Sequence, residues 1–348
     1  MGRVSLAIHM LFTSVAIESV AYEVPPHSVS STDLEDRLRS VMARLKLPLR
    51  PIELLTGISE RRFWERGTRV HETATRVARN AIERAGIDPE RIGVLINTSV
   101  CKDYLEPSMA SLVHGDLGLP STCVNFDIAN ACLGFLNGIE VAGRMIEAGQ
   151  ADYALIVDGE SSREIVEATI DRLTRGEPTA QEFWDSFATL TLGSGAVAMV
   201  LSNARLSRTS HRVNGSVSLA DTTQNRLCLG TAERMVTEST KLLKAGVALA
   251  KQTWILATRH IPRWLESGID QYVCHQVGKP HMVALCEALG IDLGKCFLTY
   301  PRHGNVGPAA VPLTLVLAEE AGRVRPGDHV ALMGIGSGLN VAMMSVTW

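Results

Sequence analysis

The residue with the clearest chemical potential is Cys132, in the segment Asp-Ile-Ala-Asn-Ala-Cys-Leu-Gly-Phe at positions 127–135. The pattern predicts a short strand, a turn, and a helix that begins at the cysteine. A thiol at a helix N-terminus lies near the positive end of the helix dipole and near free backbone N–H groups, which favour thiolate and can hold an oxyanion. The segment therefore indicates a nucleophile, with a buried structural cysteine as the alternative interpretation.

Three later segments carry further candidate groups. His275 ends an apolar run and is a candidate base or oxyanion donor, or alternatively a buried core histidine. In the His-Gly-Asn-Val-Gly-Pro segment at 303–308, Asn305 offers an amide donor, although Asn and Gly are also usual in a plain turn with a helix cap. The run Gly-Ile-Gly-Ser-Gly-Leu-Asn at 334–340 lacks the lysine of a P-loop and predicts close backbone approach or a β-turn.

Apolar periodicity predicts the strands and helices that position these residues. Strands are predicted at 11–20 (with Glu18 at a turn or edge), 92–100, 123–128, 153–158, 192–201, 272–275, 329–333 and 341–346. Helices are predicted at 69–86, 107–117, 133–149, 231–259, 280–289 and 308–321, with residues 160–187 as a helical excursion over the surface.

The alternation of strands and helices predicts an α/β protein built from two similar halves, residues 1–205 and 206–348. With 348 residues, 46% of them hydrophobic, the chain is long enough to bury a large core. Because no Pro/Ser/Gly-rich linker separates the halves, they are expected to share one core.

Charge and cysteine content exclude several classes of function. The net charge is −3, from 34 Lys+Arg against 37 Asp+Glu, so no bulk field favours nucleic acid or an anionic membrane. Seven cysteines without CxxC spacing predict reduced thiols in a cytoplasmic protein. No apolar run reaches the ~20 residues of a membrane span. Met10 is a candidate start, with residues 1–9 as an extension.

The order of these motifs resembles the thiolase superfamily, and more narrowly its β-ketoacyl synthase III branch with a Cys-His-Asn triad. The resemblance covers the chain from Met10 onward and includes segments 57–62 and 192–196. It is closer still to the OleA family of thiolase-like enzymes, which condense two long-chain fatty acyl-CoAs head to head. The matching segments are 96–100, 103–108, 127–133, 158–160, 234–237, 275–277, 303–308 and 334–340.

The resemblance implies a homodimer of five-layered αβαβα thiolase-fold subunits. It implies that Cys132 takes the first acyl chain and that His275 and Asn305 hold the thioester oxygen during condensation. The backbone N–H groups of Cys132 and Ser337 would form the oxyanion hole for acylation. Ser337 stands where ketosynthase III enzymes commonly have glycine, which leaves the required backbone group in place.

Glu106 has the most specific implied role. In OleA-like enzymes this glutamate reaches into the partner subunit's site and helps to remove the α-proton of the second acyl-CoA. A malonyl donor makes its carbanion by losing CO₂, whereas a plain acyl-CoA requires a positioned base and a stabilised enolate. The alternative is a surface carboxylate in front of a helix that starts at Pro107.

The implied reaction is a non-decarboxylative Claisen condensation of two fatty acyl-CoAs to a 2-alkyl-3-ketoacyl product, in olefin or β-lactone synthesis. Coenzyme A enters as part of the substrates, no metal or redox cofactor is expected, and downstream pathway enzymes are candidate partners. The resemblance also places Arg61, Arg62 and Trp64 at the CoA-binding surface, with a solvated basic turn as the alternative.

Three other activities stay open at the level of sequence. The nearest is a decarboxylative 3-oxoacyl-carrier-protein synthase III that uses a malonyl thioester, against which Glu106 argues. A second is a non-catalytic partner subunit of a related condensing enzyme, which would have no need for Cys132, His275 and Asn305 together. A third is a thioesterase-like reaction, in which water intercepts the acyl-enzyme.

Overall fold

A computed structural model describes residues 9–48, 50–265 and 268–348 of the chain. The extension predicted over residues 1–9 lies outside the described residues up to position 8. In the described ranges no helix has the length and apolar character needed to cross a membrane.

Strands and helices alternate along most of the chain. The strands are β1 His9–Leu11, β2 Val15–Glu23, β3 His27–Ser30, β4 Glu60–Phe63, β5 Ile92–Asn97, β6 Val124–Asp127, β7 Tyr153–Glu160, β8 Gly195–Asn203, β9 Arg212–Ala220, β10 Cys228–Gly230, β11 Met235–Thr237, β12 Gln271–Cys274, β13 His329–Gly336 and β14 Asn340–Thr347. The α-helices are α1 Ser31–Arg37, α2 Arg39–Arg44, α3 Pro51–Thr56, α4 Val70–Ala85, α5 Met109–Leu117, α6 Gly134–Glu147, α7 Arg163–Arg175, α8 Ala180–Ser186, α9 Ser239–His260, α10 Lys279–Leu289, α11 Tyr300–His303 and α12 Ala310–Glu320.

The principal sheet is mixed and has the strand order β12-β13-β14-β9-β2-β8-β7-β5-β6, with β1 added beside β9. Parallel pairing joins β5 to both β6 and β7, and joins β12 to β13. The strands form two sets, β2-β8-β7-β5-β6 (the first set) and β9-β14-β13-β12 (the second set), which extend outward from the β2–β9 junction. The two sets have the same order, because an isolated parallel bridge from Tyr272 to Cys296 in the second set occupies the place of β6 in the first. The division at residue 205 stays a prediction.

Three groups of helices cover this sheet. The helices α6 and α12 share one apolar cluster with strands of both sets. The helices α4 and α5 pack in a second cluster with the first set, and α9 and α10 pack in a third with the second set. An inner helical layer therefore lies between the two strand sets and an outer layer covers each of them, which is the αβαβα order.

Helix α4 shows how the sequence produces this packing. Val70, Ala74, Val77, Ala81 and Ala85 recur at helical spacing, and all of them are buried. The stripe packs against β2, β7 and β8. The helix ends where the chain enters the left-handed region, at the glycine that follows it.

Two predicted elements are wrong in their bounds. The helix predicted over 231–259 begins only at Ser239, because the preceding residues form the antiparallel β10–β11 hairpin. The helix predicted over 107–117 begins at Met109, because the Ser108 hydroxyl accepts the Ser111 N–H at 3.1 Å and caps it. Pro107 therefore precedes the helix and does not start it.

Two further differences concern the centre of the sheet. Glu18 lies inside β2 and is buried, not at a turn or edge, because Ser202 Oγ and the Arg208 N–H donate to its carboxylate at 2.7 and 3.1 Å. The register of β2 against β8 shifts at this position, which indicates a bulge. The prediction also omitted β9, the strand that meets β2 at the junction of the two sets.

Candidate active site

Cys132 lies in a sharp turn between β6 and α6, here called the elbow (residues 128–133). The Ile128 N–H donates to the Asn97 carbonyl at 2.9 Å, which ties the end of β6 to β5. Ala131 has a φ of 45°, a conformation that costs free energy for a residue with a side chain. The turn leaves the half-buried Cys132 immediately before Leu133, the N-cap residue of α6, close to where the sequence predicts it.

Burial controls the protonation of this thiol. Loss of solvent, together with the smaller effect of nearby negative charges such as Glu160, raises the pKa of Cys132 to about 12. Burial therefore opposes the preference for thiolate that is expected at a helix N-terminus. Cys132 is a protonated thiol at neutral pH and must lose its proton as it attacks.

Two buried carboxyl groups that the sequence did not single out for chemistry lie near the elbow. Asp158 and Glu160 are on the same face of β7, and each is hydrogen-bonded at 2.6 Å, by Thr98 Oγ1 and by the Val100 N–H respectively. Burial raises the pKa of Glu160 to about 7 and raises the pKa of Asp158 well above its usual range. The pair therefore retains a proton near neutral pH.

His275 follows β12 and is held by its own backbone, whose N–H donates to the Met333 carbonyl at 2.8 Å. Only 2% of the residue is exposed. Burial lowers the pKa of His275 to about 3, and the adjacent His281 contributes in the same direction. The imidazole is therefore neutral at pH 7, with one N–H donor and one lone pair to offer.

A small cavity opens beside His275. Apart from His281 and two glycines, the side chains that line it are apolar, namely Val247, Ala250, Leu285, Met333, Ile335, Val341 and Met343. These residues come from α9, α10, β13 and β14. The neutral histidine therefore borders a space suited to hydrocarbon.

Asn305 is fixed by bonds on its backbone and side chain. Its N–H donates to the Thr191 carbonyl at 2.9 Å, and its own carbonyl accepts the Gly193 N–H at 2.8 Å. Its side-chain oxygen accepts the Gly307 N–H at 3.0 Å, which leaves the amide N–H₂ as the donor for a substrate oxygen. A Cβ on Gly193 would collide with the His303 carbonyl, so this close approach requires glycine.

The turn that contains Ser337 links β13 to β14 and touches the elbow. A Cβ on Gly336 would lie only 2.9 Å from the Asn130 carbonyl oxygen, which shows how closely the two backbones approach. His275 belongs to the same region because β12 pairs with β13 at Met333. The fold thus brings Cys132, His275 and Ser337 around the end of β13.

The loop at residues 100–108, here called the arm, is anchored at both ends. The Asp103 carboxylate accepts the N–H groups of Val70 and His71 at 2.9 and 2.8 Å. The Asp127 carboxylate, at the end of β6, accepts the Ala110 N–H at 2.9 Å and so holds the start of α5. The arm therefore projects from two fixed points.

The tip of the arm extends into solvent. Leu105 is 97% exposed and Tyr104 is 44% exposed. Glu106 is also exposed, and no described side chain or backbone group makes a hydrogen bond or ion pair with its carboxylate. The structure thus separates Glu106 from the buried groups around Cys132 of its own chain.

The residues predicted to contact CoA fall into two environments. Arg61 is fully buried and donates to Ser31 Oγ at 3.1 Å and the Leu190 carbonyl at 3.0 Å, and burial lowers its pKa to about 10. Trp64 is buried, with its indole N–H on the Glu160 carbonyl at 2.9 Å. The prediction is wrong for both, because neither offers a surface to a ligand. Arg62 is partly exposed and remains a candidate.

Two parts of the chain match described protein families. Residues 126–221 match 3-oxoacyl-[acyl-carrier-protein] synthase III, and residues 262–348 match the C-terminal part of that family. The first match contains Cys132, and the second contains His275, Asn305 and Ser337.

Whole-length relatives are also found. An acyl-CoA:acyl-CoA alkyltransferase of Xanthomonas campestris pv. campestris is 43% identical over 339 residues, which is 97% of this chain and 100% of the relative. A protein of the same name from Shewanella oneidensis is 39% identical over 353 residues, again 97% of this chain and 100% of the relative.

Crystal structures of Xanthomonas campestris OleA superpose on this chain with a TM-score of 0.95 at 43% identity, and they cover 97% of this chain and 100% of that chain. One carries a cysteine-to-serine replacement with bound lauric acid and lauroyl-CoA, and others carry a replaced histidine or glutamate. The superposition confirms the predicted thiolase-type α/β fold.

Proposed function

This chain belongs to the acyl-CoA:acyl-CoA alkyltransferase (OleA) family, and we propose that it condenses two long-chain fatty acyl-CoAs without decarboxylation. The product is a 2-alkyl-3-ketoacyl compound. The observation that carries the proposal is the 43% identity to the Xanthomonas enzyme over 97% of the chain, with Cys132, His275 and Asn305 all present. The resemblance to this family stated from the sequence is thereby confirmed.

In the first step, Cys132 Sγ attacks the thioester carbonyl of one acyl-CoA. The C–S bond to coenzyme A breaks, and the departing CoA sulfur takes up a proton to balance the one that Cys132 loses. The oxygen of the tetrahedral intermediate carries the negative charge, and the backbone N–H groups of Cys132 and Ser337 hold it. A protonated resting thiol is consistent with this step, because the proton is released only when substrate is present.

In the second step, the α-carbon of another acyl-CoA becomes the nucleophile. Glu106 of the partner subunit removes its α-proton, and the enolate carbon attacks the acyl group on Cys132. The new C–C bond forms as the C–S bond to Cys132 breaks and the thiolate is reprotonated. His275 and Asn305 hold the carbonyl oxygen, since the neutral imidazole and the amide both offer N–H donors.

We propose that the enzyme is a homodimer. The exposed tip of the arm supports this, because Leu105 is 97% exposed and a second subunit would remove this apolar side chain from water. The edge strand β6 lies beside the arm, pairs on only one side, and exposes Val124 to 54%. An unpaired edge and a projecting apolar tip are both suited to a second copy of the chain.

Cofactor and location follow from the same chemistry. The reaction as proposed needs only the coenzyme A of its substrates, with Arg62 as the remaining candidate for its contacts. We place the enzyme in the cytoplasm, where the seven free cysteines of the chain would stay reduced. Enzymes that process a 2-alkyl-3-ketoacyl product, in olefin or β-lactone synthesis, would act next.

The test is an assay with radiolabelled long-chain acyl-CoA and no malonyl thioester. Label in a ketone or 3-ketoacyl product supports the proposal. Label only in free fatty acid would instead support the thioesterase-like reaction. A requirement for added malonyl thioester would support decarboxylative synthesis, and absence of any acyl adduct on Cys132 in a mass spectrum would support a non-catalytic subunit.

A further inference from the structure

A directed chain of side-chain hydrogen bonds runs beneath the elbow. Asn340 Nδ2 donates to Asn130 Oδ1 at 3.0 Å, Asn130 Nδ2 donates to Asn137 Oδ1 at 2.7 Å, and Asn137 Nδ2 donates to Glu140 Oε2 at 2.9 Å. Ser218 Oγ donates to the other Glu140 oxygen at 3.1 Å. Every donor in the chain points towards Glu140.

The Glu140 carboxylate, at one end of this hydrogen-bond chain, sets the direction of its hydrogen bonds. Glu140 lies on α6 and is only 5% exposed. Its two carboxylate oxygens accept hydrogen bonds from Asn137 Nδ2 and Ser218 Oγ. A carboxylate oxygen accepts hydrogen bonds and has no N–H to give, so Asn137 must turn its N–H₂ towards Glu140. The Asn137 oxygen then faces Asn130, and the Asn130 oxygen in turn faces Asn340. Aligned bonds of this kind strengthen one another in a low-dielectric interior.

The other end of this hydrogen-bond chain, the bond between Asn340 and Asn130, joins the two backbone segments of the proposed oxyanion hole. Asn130 is in the elbow, two residues before Cys132, and its carbonyl accepts the Leu133 N–H at 3.0 Å. Asn340 begins β14 and pairs with Gly336, so these two residues enclose the turn that contains Ser337. The bond between the side chains of Asn130 and Asn340 therefore spans the gap between the two segments.

We propose that Asn130, Asn137, Asn340 and Glu140 are positioning residues that fix the separation of the Cys132 and Ser337 backbone N–H groups. None of them is placed in contact with a reacting atom. The inference rests on the proposed function and adds the residues that preorganise its acylation site. Stabilisation of an oxyanion depends on donors already being in place, and loss of one such donor costs about 10²–10³ in rate.

The direction of the chain supplies a test that a merely structural role would not pass. Asn340→Asp removes the N–H₂ donor and brings an acceptor against the Asn130 oxygen, which Glu140 holds in place. Glu140→Gln provides an N–H₂ group at the other end and so permits the whole chain to reverse. The double variant can then make every bond with its polarity inverted.

The measurement is the single-turnover rate of Cys132 acylation, monitored by mass spectrometry over a series of lauroyl-CoA concentrations up to saturation. Asn340→Asp is expected to lower this rate by on the order of 100-fold with little change in the acyl-CoA concentration for half-saturation. Glu140→Gln is expected to lower it only a few-fold. The double variant should recover at least about tenfold over Asn340→Asp. The exposed Asn225→Asp serves as the matched control, and thermal unfolding of each variant monitors folding.

The outcomes separate the inference from the function on which it rests. Equal acylation rates in wild type and all variants would overturn the positioning role alone. A double variant slowed by the product of the two single effects would also overturn it, because an inverted chain would then restore nothing. A wild-type protein that forms no adduct would overturn the proposed function and this inference with it.

Discussion

The elbow and the arm both supply a residue to the proposed reaction, but their surroundings are opposite. At the elbow, Cys132 is enclosed by groups of its own chain, and burial raises the pKa of its thiol to about 12. On the arm, Glu106 is exposed and lies beside Leu105, which is 97% exposed. A single chain thus encloses its own nucleophile, Cys132, but leaves the Glu106 carboxylate exposed.

This difference divides the reaction between subunits. In the proposed mechanism, acyl transfer to Cys132 needs only the elbow and the Ser337 turn, both of which one chain provides. Enolate formation needs Glu106, whose carboxylate has no partner among the described residues of its own chain. We therefore expect acylation to be a property of each subunit and condensation to be a property of the dimer.

The largest expected effect comes from removal of the nucleophile. Cys132→Ala should abolish the acyl adduct and lower product formation by about 10³-fold or more, because the thiol that forms the thioester is lost. Intact-mass spectrometry after incubation with acyl-CoA measures the adduct. Cys228→Ser is the control for the neighbouring thiol, since Cys228 is also free and half-buried and lies close enough to Cys132 to affect its pKa, and this variant should leave the adduct in place. An undiminished adduct on Cys132→Ala would contradict the role of the elbow.

The next effect separates the two regions. Glu106→Gln should leave the acyl adduct at its wild-type level and lower ketone formation by about 10²–10⁴-fold, because only the enolate step loses its base. The adduct and the ketone are measured in the same reaction. The exposed Glu90→Gln is the matched control. Equal loss of adduct and ketone would show that the arm and the elbow act in the same step.

A smaller effect tests the apolar tip of the arm. Leu105→Asp should weaken the dimer and lower condensation by roughly tenfold, since a charge replaces a side chain that is expected to be desolvated in the partner. Analytical ultracentrifugation reports the dimer. Leu54→Asp, at a leucine 71% exposed, is the control for adding a surface charge. If Leu105→Asp dimerises as strongly as the wild type, the tip of the arm is not part of the interface.

The smallest effect concerns the stability of the elbow's surroundings. Burial raises the pKa of Glu160 from its usual 4.5 to about 7 in the folded protein, so between these pH values the folded state holds a proton that the unfolded state has lost. The free energy of unfolding should therefore fall as pH rises from about 4.5 to about 7. Glu160→Gln should flatten that slope in denaturant titrations, whereas Glu90→Gln should retain it. An unchanged slope in Glu160→Gln would be the contrary result.

Local patterns made the elbow predictable. The strand, turn and helix around Cys132 follow from residues close together in sequence, and so does the Gly-Asn turn at Asn305. The arm was predictable only through the family resemblance, because Glu106 by itself looks like any surface carboxylate.

Long-range contacts account for most of what the sequence did not reveal. Asp158 and Glu160 lie in a continuous strand, and only the folded sheet brings them near Cys132. The family resemblance placed Arg61 at the CoA-binding surface, whereas hydrogen bonds to Ser31 and the Leu190 carbonyl hold it in the interior. The short β11 strand falls inside the predicted helix because three residues before a long helix provide too little periodicity to distinguish strand from helix.

The most direct test of a site shared between subunits is complementation between two inactive variants. Chains with Cys132→Ala and chains with Glu106→Gln, produced together with different affinity tags, give a hybrid dimer. In one of its two sites, Cys132 of the Glu106→Gln chain meets the intact Glu106 of its partner. The hybrid should form ketone from acyl-CoA at about half the rate of the wild-type dimer, since one of two sites is complete. A hybrid as inactive as both parents would contradict a carboxylate supplied across the dimer.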